Sequence, residues 1–388
     1  MIKTLTAYTM EIDDAQAAAE EILKQLDLEK NLLKNSFGIV TCYSEFIDSG
    51  ALEAICKKLP FDVIGGTVLS NENSGAIGQM MLSAMVLTSD DVNFSCGISG
   101  DIDQNSVESL DKEIAGVYNK IAANAKEKPA LLVAFTSLFF NIAGDLIVEA
   151  FDKASGAAPL FGTIASDHTV QYEKVKAIYN GKAFDKGIAV AAFWGNIDPK
   201  FYVASISEDK VLKQKAVITK SKGNILIEVN GVPAGEYMRS LGLSPESLTN
   251  YNAVPFMVTF EGNLEPTARG IFHLTDDGNF VCGGSMPVGA SLSVGSISHD
   301  EVLATTEKLL ISALNEKQGD GMLAFSCIAR NMILGMDSDA EMNIVKKILG
   351  YKVPHGCNYS SGEICPVYNK DGKLQNRFHN YTFIACYF

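Results

Sequence analysis

A chain of 388 residues is longer than one hydrophobic core usually serves, so two domains are expected. Hydrophobic residues make up 47% and charged residues 20%, the balance of a packed globular protein and not of a disordered one. The 46 acidic residues outnumber the 32 basic ones, and a net charge of −14 repels polyphosphate and argues against a nucleic-acid partner.

No basic cluster offsets that balance. The densest, 210–222, is broken by Val211, Leu212, Ala216, Val217 and Ile218. The amino terminus reaches Glu11 without the apolar run of a secretory signal. The longest apolar stretch, 129–144, contains Asn141 and is shorter than a bilayer-spanning helix, so no membrane insertion is expected. Eight cysteines stand at 42, 56, 96, 282, 327, 357, 365 and 386 without a C-x-x-C pair. That spacing speaks against a common zinc site, and scattered thiols without a signal predict a reduced, cytoplasmic protein.

In chain order, 3–8 alternates as a strand, and Asp13-Asp14 opens an amphipathic helix that ends near Asp27. A buried strand at 37–43, a helix at 52–59 and a strand at 60–69 follow, and 77–88 supplies further sheet. The order then restarts: strand 93–97, helix 107–122, strand 131–137, a helix around 146–151, strand 159–166, and a hairpin over 174–194 turning at Asn180-Gly181. It returns near the end: strand 291–297, helix 300–314, strand 322–328, helix 339–349, strand 353–359, and a closing hairpin over 364–388 around Asp371-Gly372. The strings Gly66 to Ser70, Gly162 to Ser166 and Gly356 to Ser360 all read Gly-x-x-x-Ser, each with a proline shortly upstream. A threefold repeat over 4–90, 93–194 and 291–388 is therefore expected. Between its second and third copies, 199–290 is strand-rich, with turns at Asn230-Gly231, Asp277-Gly278 and Gly283-Gly284 and one helical piece at 233–241.

Chemistry concentrates in two blocks. Phe325-Ser326-Cys327-Ile328-Ala329-Arg330 reads as a buried strand ending in a guanidinium, and Gly356 through Glu363 as a short strand ending in a carboxylate. Arg330 offers a planar fork for a carboxylate, Glu363 could take an ammonium, and Ser361 with the backbone of Gly362 could orient the remainder. Two readings stand side by side: a pocket for a zwitterion, or an Arg330–Glu363 pair that clamps two strands. Cys327 is either a reactive thiol beside a cation or a small buried hydrophobe.

The carboxy-terminal pattern (323–330, Pro354 with Gly356, Gly362-Glu363-Ile364, Asn380-Tyr381-Thr382) resembles the C-terminal FIST domain. Gly65-Gly66, Thr136, Pro159 to Gly162 and Gly187 to Val190 resemble the matching N-terminal domain, and Val229 to Ala234 resembles the start of the second. The resemblance implies an α/β, two-domain FIST architecture, 1–196 followed by 197–388, with repeated strand-helix-strand-helix-hairpin units and a β-rich insertion. It implies a sensory, small-molecule-binding protein, with an amino acid as one ligand class. Its output would run through a separate histidine kinase, chemoreceptor or cyclase. The candidate ligand set is Arg330, Glu363, Cys327, Ser361, Gly362, Tyr359, Gly356 and Asn380. The family also contains haem-based nitric oxide sensors; for that alternative His355, His379 and Cys365, which precedes a proline, are the residues to test as iron ligands. An enzyme using Cys327 is a third reading, although no G-x-S-x-G, P-loop or dinucleotide motif occurs, and the adjacent Ser166-Asp167-His168 cannot form a relay.

Overall fold

The structure, a computed structural model, describes residues 2–169, 172–248, 254–260, 266–316 and 320–388. The described residues form three six-stranded sheets and one eight-stranded layer. At the centre of each six-stranded sheet two strands run parallel: Asn35–Cys42 with Val63–Thr67, Leu131–Thr136 with Leu160–Ile164, and Met322–Cys327 with His355–Ser360. Antiparallel strands flank each pair.

Helices cover the outer faces. Ala15–Leu26 starts where the Asp14 carboxylate accepts from the backbone of Gln16 and Ala17 at 2.9 and 3.0 Å, and Val107–Ile121 starts on the Ser106 hydroxyl in the same way. Each helix pair packs an apolar stripe on its own sheet, giving three separate clusters. The inner faces of the three sheets meet in a central cluster. There Phe325 lies 5.5 Å from Phe135 and 5.3 Å from Phe161, while Phe193 lies 5.2 Å from Phe37 and 6.0 Å from Phe388. Strands buried on both faces explain why 131–137 reads as a continuous apolar run.

The three sheets exchange hairpins in a ring. The hairpin Ala177–Tyr179/Lys182–Phe184, from the second unit, pairs with Val63–Thr67 of the first sheet. Gly362–Tyr368/Leu374–His379, from the third unit, pairs with Leu160–Ile164 of the second. Asn71–Asn73/Ala76–Gly78, from the first unit, pairs with His355–Ser360 of the third.

This arrangement corrects several sequence expectations. Asn180 (φ 49°) and Gly181 (φ 78°) do make a tight turn, but Ile188–Trp194 leaves that hairpin to pair with Leu131–Thr136. The closing hairpin likewise stops at His379, and Phe383–Tyr387 returns to the third sheet. The first strand of the third sheet is Lys200–Ala204, because it pairs with Phe383–Tyr387; Ser291–Val294 belongs to the β-rich layer, paired with Ala216–Lys222 and Phe256–Thr259. The Gly-x-x-x-Ser strings do not superpose: Gly66 pairs with Thr41, Gly162 with Ala134 and Gly356 with Leu323, at three different depths from the strand end. The repeat lives in the topology and not in those strings.

The β-rich layer has its own core. Arg269 anchors it, wholly buried, by donating to Asp145 of the second unit at 2.7 Å and to the carbonyl of Phe378 at 3.1 Å. Asp145 also accepts from the backbone of Ser285 at 2.6 Å.

Candidate functional site

The family-like blocks converge at the carboxyl ends of the third sheet's parallel strands, the end of an α/β sheet where ligands usually sit. The strand stops at Cys327, and Arg330 lies in the first turn of a helix, Ile328–Leu334, not at the strand's end. Its guanidinium is wholly buried and bonded on every nitrogen. It donates to Glu341 at 2.8 and 3.0 Å, to the carbonyl of Val302 at 2.8 Å and to the hydroxyls of Thr306 and Thr305 at 2.8 and 3.1 Å. Glu341 accepts from Ser326 at 2.7 Å and from Thr306 at 2.5 Å as well. A guanidinium so enclosed has no face left for a substrate carboxylate.

Glu363 is not its partner. That carboxyl, also wholly buried, accepts from Thr382 at 2.8 Å and Ser360 at 3.3 Å. Burial pushes its pKa up to about 8, against the opposing pull of those hydroxyls, the Cys327 thiol and the more distant Arg330. At neutral pH it is largely a neutral acid, so the expected ammonium acceptor is missing.

Asn380-Tyr381-Thr382 ties the junction together. Tyr381 takes a left-handed φ of 59°, which turns the Thr382 hydroxyl onto Glu363 while its own carbonyl accepts from Arg330 at 3.4 Å. Asn380 accepts from the backbone of Gly270 in the β-rich layer at 3.1 Å. Gly362 is required where it stands, because a Cβ there would come within 2.6 Å of the Phe378 ring. Tyr359 is buried with its hydroxyl toward the Ser338 carbonyl at 3.5 Å, Gly356 pairs with Asn73, and Ser361 bonds through its backbone to Ile164 at 2.9 Å. The Ser361 hydroxyl is buried with no partner among the described residues. The block is a packed polar junction.

The thiol of Cys327 is buried and held well above its usual pKa, by burial first and by Glu363 second. A thiol so protonated is a poor nucleophile. The haem ligand candidates do not fit iron either. His355 is buried against a carboxylate: Nδ1 donates to the Val353 carbonyl at 2.7 Å, and Nε2 lies 2.5 Å from Glu72, outside hydrogen-bonding geometry. His379, held neutral by burial with a pKa lowered to about 3, uses Nε2 on the Cys365 carbonyl at 3.3 Å. Cys365 is buried and its pKa lies well above the ordinary value, chiefly through burial, so the thiolate that iron would need is disfavoured. Among the described residues no group of three or more metal-binding side chains occurs.

Open space lies elsewhere. A cleft of about 530 Å³ separates the end of strand Lys200–Ala204 and Pro266-Thr267 from the third unit's hairpin. Arg377 and Lys370 of that hairpin line it, together with Glu208 and His379. A second cleft, about 880 Å³, runs beside strand Asn93–Ile98. Of the sequence candidates only His379 borders either one. The charged pair Lys370 and Asp371 reads in sequence as an ordinary solvated turn, which is why the first cleft was not legible there.

Two family models match in tandem, the FIST N domain over residues 36–232 and the FIST C domain over 233–366. The chain belongs to the FIST family, whose domains are sensory, small-ligand-binding modules of signal transduction. A comparison with curated proteins finds no match. Among solved structures, two cyanuric acid hydrolases, one of them from A. caulinodans, are similar at 8% identity. Their TM-scores are 0.38 and 0.39, covering 100% of this chain and 98% and 99% of theirs. Among the described residues no helix is long and apolar enough to cross a membrane.

Proposed function

We propose that the protein is a cytoplasmic sensor of a small zwitterion, such as an amino acid, acting through a separate signalling protein of the histidine kinase, chemoreceptor or cyclase kind. The observation that carries this reading is the 530 Å³ cleft, to which two of its three lining segments bring charges of opposite sign. Arg377 supplies a fork for the ligand carboxylate, Lys370 a second cation beside it, and Glu208 an acceptor for the ammonium. The volume suits a compact metabolite. A ligand there would touch His379, which sits opposite Glu363 in the sheet register, and so would meet the polar junction from its outer side.

Calorimetric titration of the full chain with a panel of amino acids tests this. One or more should bind, and Arg377→Met and Glu208→Gln should each weaken binding by about tenfold or more, while the folded structure persists by circular dichroism. A panel without a binder, or a binder indifferent to both substitutions, removes the reading.

A further inference from the structure

Both clefts open where the edge strand of one sheet meets the hairpin exchanged into its neighbour. Lys200–Ala204 packs against the hairpin strand Gly362–Tyr368, and the 530 Å³ cleft lies there. Asn93–Ile98 packs against the first sheet beside the hairpin strand Ala177–Tyr179, and the 880 Å³ cleft lies there. At the third such seam the contact is bonded directly: Asn73 donates to the Ala7 carbonyl at 3.1 Å, and the hydroxyls of Thr6 and Ser74 meet at 2.9 Å. The same device thus yields a zipped seam and two open ones with different linings.

We infer that the 880 Å³ cleft is a second ligand site, for a compact aromatic molecule of one or two rings carrying a hydrogen-bonding group. Phe94, Tyr179 and Trp194 line it among polar neighbours, and these rings are held in place before any ligand arrives. Phe94 is wedged between Phe37 at 5.0 Å and Phe193 at 5.1 Å. Trp194 is fixed by its indole N–H, which donates to the Glu127 carbonyl at 3.2 Å. Tyr179 presents a phenol beside Asp62, and Asn180 donates to Asp62 at 2.8 Å. Val117 and Ile121 reach the cleft because Gly97 lets helix Val107–Ile121 close on the strand; a Cβ at Gly97 would stand 2.9 Å from Ile121 and 3.0 Å from Val117. Asn93–Ile98 is also the last strand of its sheet, so its outer edge has backbone donors and acceptors facing no strand. Rigid rings reward a flat apolar ligand with stacking, and the strand edge with the Asp62–Tyr179 corner gives it orientation. This site is independent of the zwitterion reading.

Trp194 is the only tryptophan in the chain, so its emission reports this cleft alone. The full chain is titrated with benzyl alcohol, tyramine and 4-hydroxyphenylacetate, with glycine as a control, following Trp194 emission and, separately, the heat of binding. At least one aromatic probe should give a saturable shift and glycine none. Ala125→Phe, on the exposed rim, should weaken that probe by about tenfold, and Arg377→Met should leave it unchanged. The inference is overturned if no aromatic probe saturates, if Ala125→Phe binds as tightly as the parent chain, or if glycine displaces the probe.

Discussion

Arg330 and Glu341 form a doubly bonded pair with both side chains wholly buried, and Glu363 stands apart from it as a neutral acid. Removing one partner strands a charge in the interior. Arg330→Met should therefore cost about 3–5 kcal/mol, whereas Arg330→Met combined with Glu341→Leu should recover most of the loss. Urea denaturation of the single and double variants measures both. If the double variant is as unstable as the single one, the pair does not account for the cost.

Glu363 makes stability depend on pH in an unusual direction for a carboxylate. Its folded pKa, about 8, lies above the ordinary glutamate value, so the folded state holds the proton more tightly than the unfolded chain does. The stabilising effect is complete below the ordinary glutamate range and is lost as pH rises from there through about 8. Glu363→Gln, which keeps a neutral amide for Ser360 and Thr382, should flatten that slope and make the protein the more stable one above about pH 8. Parallel slopes for the two proteins across that window would refute the assignment.

His355 and Glu72 meet in the interior, both side chains buried. The Val353 carbonyl accepts from Nδ1 at 2.7 Å, while Nε2 lies 2.5 Å from the Glu72 carboxylate, outside hydrogen-bonding geometry. The pair staples the hairpin of the first unit to the third sheet. Glu72→Leu should loosen that hairpin, raising amide exchange over 71–78 before the rest of the first sheet responds. Uniform exchange rates across the sheet would show that the hairpin does not open separately.

Seven of the eight cysteines are buried and only Cys96 is partly accessible. A thiol reagent added to the native protein should label Cys96 alone, and slowly, since burial holds its pKa well above the ordinary value. All eight should react in denaturant. Fast labelling of Cys327 in the native state would restore it as a candidate nucleophile.

Much of this architecture could be read from the chain. The helix start at Asp14, the continuous apolar strand at 131–137 and the recurring strand–helix order each carry a local physical signature. The hairpin exchange carries none. Strands of three residues, Asn71–Asn73 and Ala76–Gly78, are too short to show alternation, and nothing in them names a partner sheet. Lys200–Ala204 was hidden for another reason, since the whole β-rich layer separates it from the helix that follows in its own unit. The expected Arg330 partner was wrong because the sequence offers several carboxylates downstream, among them Glu341 on a helix face and Glu363 on a strand, and only the packing of Thr306 and Ser326 around Glu341 decides between those two.

The ring of exchanged hairpins also sets an order for biosynthesis. Ser74 waits for His355, 281 residues later. At about 5–20 residues per second, that segment leaves the ribosome with no partner for tens of seconds. The very short strands of that hairpin, one of them Asn-Glu-Asn, suit the wait, since a longer apolar edge would recruit other nascent chains in the meantime.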